Sequence, residues 1–89
     1  MIVEFDKSFE KSLGKLGDKS LYPKIEEAIS ILEEIDSLIG QAHIIKLSGF
    51  KSYYRFKLGD YRIGIERISR DTIRLIVVAH RKDIYNIFP

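Results

Sequence analysis

Hydrophobic positions change their period near the middle of the chain. Before Ile44 they recur every three to four residues, and after it they alternate. Ile2, Val3 and Phe5 flank Glu4 and predict a short opening strand, after which the Asp6 carboxylate can cap a helix. In that helix Phe9, Leu13 and Leu16 fall on one stripe, while Lys7, Glu10, Lys11 and Lys15 face water. Gly17-Asp18 stops it. Ser20 is the candidate cap of a second helix, with Pro23 in its first turn, where a missing N–H is tolerated. Ile25, Ala28, Ile29, Leu32 and Ile35 form its apolar stripe opposite Lys24, Glu26, Glu27, Glu33 and Glu34, so a short link joins two amphipathic helices into a pair.

From Ile44 to Leu47 the pattern reads as a strand, broken by Ser48-Gly49. Tyr53 to Leu58 and Tyr61 to Ile68 follow as two strands of a hairpin, because glycine at the first central position of the Gly59-Asp60 loop suits a type II′ turn. Ser69-Arg70-Asp71 turns the chain again. Thr72 to His80 is almost continuously apolar, as expected of a strand covered on both faces inside a sheet. Arg81 to Phe88 is too short to stand alone and is expected as a loop or one to two helical turns docked on the sheet. The order strand, helix, helix, strand, strand, strand predicts an α+β fold with its helices on one face of the sheet.

The hairpin loop sorts the side chains. Leu58 opposes Tyr61, Lys57 opposes Arg62, Phe56 opposes Ile63, Arg55 opposes Gly64 and Tyr54 opposes Ile65. One face is then apolar (Tyr54, Phe56, Leu58, Tyr61, Ile63, Ile65) and belongs under the helices. The other presents Arg55, Lys57 and Arg62 around the bare Gly64. Directly opposed cations repel, so this face is either a solvated outer surface or a place where an anion sits between them, with Gly64 leaving room for a ligand backbone. Only Glu66, opposite Tyr53, is at hand to neutralise the three cations, which favours the anion. His80-Arg81-Lys82-Asp83-Ile84-Tyr85 adds an imidazole, two cations and a phenol where the last strand ends.

Charge sharpens this picture. Residues 1–43 hold five lysines and nine acidic residues, whereas residues 44–89 hold ten cations and four acids. The net +2 thus conceals a basic second half of the kind that gathers polyanions by releasing counterions. With 89 residues the chain fits one domain, 1–89, and with 45% apolar and 31% charged residues it can bury a core without a disordered tail. There is no cysteine, which excludes disulfides and thiolate zinc sites. No carboxylate cluster or histidine pair suggests a metal, and no cofactor is expected. Neither a signal-peptide start nor an apolar run of roughly 18 residues is present, so a cytoplasmic protein without a membrane partner is expected.

Tyr54-Arg55-Phe56-Lys57-Leu58-Gly59-Asp60-Tyr61-Arg62-Ile63, preceded by Lys46-Leu47-Ser48-Gly49 and followed by Val78-Ala79-His80-Arg81-Lys82-Asp83-Ile84-Tyr85, resembles the RelE/ParE toxin superfamily. The likeness extends to the element order of the whole chain. It implies the toxin of a type II toxin–antitoxin pair, with a small, mainly antiparallel sheet and two N-terminal helices on one face. RelE-like members cut messenger RNA in the ribosomal A site; ParE-like members inhibit DNA gyrase and are not nucleases. Arg55 and Lys57 match the two basic positions before the hairpin turn of the RelE-like site. Arg62 matches the arginine after it, Arg81 the arginine after the last strand, and Tyr85 the C-terminal tyrosine. His80 resembles a histidine found in other branches.

The resemblance therefore implies an endoribonuclease that needs no metal, in which the ribose 2′-OH attacks the adjacent phosphate. Lys57 is the candidate base, Arg62 and Arg81 the candidate phosphate ligands, and Tyr85 a stacking or proton-transferring group. His80 is a candidate proton donor. The expected partners are messenger RNA on the ribosome and a cognate antitoxin in a hetero-oligomer; the alternative is a gyrase inhibitor without nuclease activity.

Overall fold

The Gly59-Asp60 loop sets the register of the sheet's central hairpin. In the computed structural model, which covers residues 1–89, β3 (Tyr53–Leu58) and β4 (Tyr61–Arg67) pair as the loop requires, from Leu58 opposite Tyr61 to Tyr53 opposite Glu66. β2 (Ile44–Lys46) joins β3 antiparallel on one side. β5 (Thr72–His80) joins β4 antiparallel on the other. The opening strand β1 (Ile2–Phe5) runs parallel to β5, so the order is β1-β5-β4-β3-β2 and the sheet is antiparallel except at that edge.

β1 and β2 lie at opposite edges, and the two helices carry the chain between them across one face. α1 (Lys7–Leu16) rests on β5, and α2 (Leu21–Glu34) rests on β1 and β3. Between the sheet and the helices lies the main core: Phe9, Ile25, Ala28 and Leu32 from the helices meet Tyr54, Phe56, Ile63, Ile65, Ile73, Leu75 and Val78. All six residues assigned from sequence to the helix-covered face lie within or against it. The Met1 ammonium donates to the carbonyls of Leu32, Glu33 and Ile35, where the end of α2 gathers negative partial charge.

Asp6 caps α1 as its position in the sequence requires, its carboxylate accepting from the Ser8 N–H at 3.0 Å. Gly17 closes the helix at φ 65°, a left-handed conformation that glycine adopts without steric cost. Ser20 differs from expectation. It occupies the cap position of α2 in a helical conformation and makes no capping bond; its N–H and hydroxyl both donate to Asp18 Oδ1.

Two features decide what the sheet presents on its far side. β1 covers β5 only as far as Leu75, and beyond it α1 guards the strand's edge. There the Val78 N–H donates to Ser12 Oγ at 3.0 Å, and the Ser8 hydroxyl lies between the Ile76 carbonyl and the Asp6 carboxylate with one proton to give. The second feature is a bulge. Gly64 opposes Val77 but Ile65 opposes Leu75, so Ile76 is the extra residue and the alternation of β5 reverses across it. Ile73 and Leu75 face the helices before the bulge; Val78 and His80 do so after it.

Candidate functional site

Beneath the sheet, on the side away from the helices, the chain's end forms a second, smaller core. α3 (Ile84–Ile87) and the residue after it lie against this face, with Ile84 and Phe88 buried beside Leu47, Val77 and Ala79. Of the loop or one to two helical turns expected from sequence, the docked segment is a single turn. It also corrects the reading of Gly64. A Cβ at that position would lie 2.7–2.8 Å from ring carbons of Phe88, so the space over Gly64 is filled by the chain's own aromatic ring and is not open to a ligand.

The cations of this face are held unequally. Lys57 is exposed and forms no ion pair. Arg62, directly opposite, turns its Nη1 onto the carbonyls of Gly59 and Tyr61, both at 2.8 Å. That placement draws the guanidinium toward the hairpin loop and relieves the cross-strand repulsion. Arg81 reaches the same loop: its N–H donates to the Asp60 carbonyl at 2.8 Å, and its Nε stands 3.9 Å from Asp60 Oδ1, a loose and exposed ion pair. Arg62 and Arg81 therefore converge on the Gly59-Asp60 loop, with Lys57 opposite Arg62 on the neighbouring strand.

Arg55 has a different setting. Its Nη2 donates to the Phe88 carbonyl at 3.1 Å, its guanidinium carbon lies 4.5 Å from the centre of the Tyr85 ring, and its Nε is enclosed without a partner. Tyr85 itself is 73% exposed, so one face of the ring meets Arg55 and the remainder is open to solvent. Acids are less scarce here than the hairpin alone implied. Besides Glu66, Asp60 stands by Arg81, and Glu4 pairs with Arg74 across β1 and β5 at 3.1 Å.

His80 is the residue the structure sets apart. The bulge at Ile76 turns it to the helix side, where it opposes Tyr61, whose ring meets it edge-on at 5.4 Å. Its Nδ1 accepts the Lys82 N–H at 3.2 Å, which leaves Nε2 to carry the proton of the neutral ring. It lines an open cavity of about 560 Å³ at the β5 edge, with Ser8, Lys11, Ser12 and Lys15 of α1, with Tyr61, and with Asp83 and Ile87 of the C-terminal segment. Lys57 and Arg62 lie on the opposite side of the sheet.

No three histidine, aspartate, glutamate or cysteine side chains are grouped to hold a metal ion. The carboxylates held clearly below their usual range are Asp6, Asp18 and Asp71, all in caps and turns. Each is lowered first by a side-chain hydroxyl: Ser8 for Asp6, Ser20 for Asp18 and Thr72 for Asp71. Phe88 is the site residue that sequence reasoning missed. Its signal was Gly64, since a glycine inside a strand marks a close approach without naming what approaches.

Residues 3–85 match the family described as the ParE toxin of the type II toxin–antitoxin system parDE. Toxin RelE3 of Methanocaldococcus jannaschii is 40% identical over 90 residues, spanning the whole of both chains. A crystal structure of the RelB–RelE antitoxin–toxin complex from Methanococcus jannaschii contains a chain 38% identical, superposing with a TM-score of 0.76 over 97% of this chain and 99% of that one. A chain of the archaeal RelE–RelB complex from Pyrococcus horikoshii is 29% identical, with a TM-score of 0.70 over 90% and 93% of the two chains.

Proposed function

The chain belongs to the RelE/ParE-type toxin superfamily, and we propose from that premise that it is the toxin of a toxin–antitoxin pair and an endoribonuclease cutting messenger RNA on the ribosome, hence in the cytoplasm. What supports this reading is the gathering of Arg62 and Arg81 at the Gly59-Asp60 loop, with Lys57 exposed opposite Arg62 and Tyr85 exposed on the same side of the sheet. Lys57 takes the proton of the ribose 2′-OH while the 2′-oxygen attacks phosphorus. The bond from phosphorus to the 5′-oxygen breaks, leaving a 2′,3′-cyclic phosphate, and the departing 5′-oxygen takes a proton from the Tyr85 hydroxyl. Arg62 and Arg81 remain charged throughout and stabilise the extra negative charge of the five-coordinate phosphorus. Arg55 lies beneath Tyr85, and His80, which opposes Tyr61, takes no part in this step. The partner is a cognate antitoxin, by analogy with the two archaeal relatives crystallised as complexes.

The test is to map messenger 5′ ends after brief expression of the parent and of the Arg62→Ala, Arg81→Ala double variant, at equal soluble protein. The parent is expected to generate new ends within reading frames. Each lost transition-state donor should slow cleavage on the order of 10²–10³-fold. A folded double variant that cuts and arrests growth like the parent overturns the assignment. The ParE name of the matching family supports the second reading, a gyrase inhibitor without nuclease activity. A supercoiling assay run beside the RNA assay separates the two.

A further inference from the structure

We propose that Gly64 and Phe88 form a seat that fixes the C-terminal segment, and that Arg55 is a positioning residue which holds Tyr85 and does not itself bind the phosphate. The part played by Tyr85 rests on the nuclease reading above; the seat does not.

Gly64 does not adopt a positive φ, unlike the glycines at 17, 40, 49 and 59. Backbone freedom therefore does not explain a glycine in the middle of β4. Space does, because a single added carbon would overlap the Phe88 ring. Phe88 is 2% exposed and meets Tyr53 edge-on at 5.3 Å; its N–H donates to the Ile84 carbonyl at 2.9 Å, and Ile84 is 1% exposed. The helical turn is pinned at both ends, and Tyr85 projects between the pins.

Arg55 joins this arrangement from below. One donor reaches the carbonyl of the seated residue, and the guanidinium carbon lies over the Tyr85 ring, 4.5 Å from its centre. The Nε is shut in, so the paired Nε and Nη grip that an arginine offers a phosphate cannot form while the segment is docked. A lysine keeps the charge but has no planar face to lay against the ring.

The experiment uses purified protein and ribosomes programmed with a defined messenger. Gly64→Ala and Phe88→Ala are each expected to lower kcat on the order of 10²-fold by misplacing Tyr85, with KM little changed and the double variant no worse than either alone. Arg55→Lys should lower kcat in the parent but cause no further loss in a Tyr85→Ala background. If Arg55→Lys costs the same factor in both backgrounds, Arg55 acts on the phosphate directly and its positioning role is overturned. Amide exchange gives a readout that needs no RNA: Gly64→Ala and Phe88→Ala should speed exchange at the neighbours of Ile84 while Ile63 and Leu75 stay protected. Unchanged exchange in both variants overturns the seat. A parent that cuts no RNA overturns the nuclease reading alone, and the seat then stands or falls on the exchange data.

Discussion

Tyr85 lies with one ring face over Arg55 and its remaining surface in water, a setting that suits both stacking and proton transfer. Tyr85→Phe separates the two, since it keeps the ring and removes only the hydroxyl. On the proposed nuclease reading the hydroxyl supplies the proton to the departing 5′-oxygen. Tyr85→Phe is expected to slow single-turnover cleavage on the order of 10²–10⁴-fold, and parental rates would assign the ring to stacking. At this scale the sequence was informative about residue type and register, and much less so about commitment. Nothing in the run from Arg55 to Arg62 distinguishes an arginine turned onto its own loop from one enclosed beneath a tyrosine, because the C-terminal segment that makes the difference lies more than twenty residues further on.

Elements were legible wherever a local signal was unambiguous. The Gly59-Asp60 loop has one comfortable conformation and carries the β3–β4 register with it. The Ile76 bulge was not legible, because Ile76-Val77-Val78-Ala79 holds no polar residue to mark which side faces the helices, so the turning of His80 leaves no trace in the pattern. Ser20 was a similar ambiguity: Asp18 and Ser20 are both good caps two residues apart, and the carboxylate took the hydrogen bonds. The cap of α1 makes its own prediction. Asp6 is held below the usual carboxylate range by the Ser8 hydroxyl first and the Ser8 N–H second. Its folded value lies below its unfolded one, so its contribution to stability is complete above the unfolded value near 3.9 and is lost as pH falls through the folded value. Thermal midpoints measured downward from about pH 5 should therefore fall in acid. Asp6→Asn, which still caps but does not titrate, should flatten part of that fall while Asp18 and Asp71 maintain the rest. An acid limb unchanged by the substitution would remove Asp6 from the account.

For the whole molecule, the linear split of charge maps onto only some elements. α2 holds four glutamates and one lysine, α1 holds three lysines and one glutamate, and the basic second half supplies the hairpin whose loop gathers Arg62 and Arg81 beside Lys57. An antitoxin that covers these cations or displaces α3 is expected to associate faster at low salt, because screening shortens to about 10 Å at 0.1 M ionic strength. Stopped-flow association rates that stay level between low and high salt would place its docking surface elsewhere. A further consequence concerns neighbours of the same kind. A bare strand edge is a template on which another backbone can lay itself and build a sheet without end. Along β5 beyond Leu75 that invitation is withdrawn by two hydroxyls of α1: Ser12 accepts the Val78 N–H while donating to the Phe9 carbonyl, and Ser8 meets the Ile76 carbonyl, so a helix closes the edge where a sixth strand would otherwise fit.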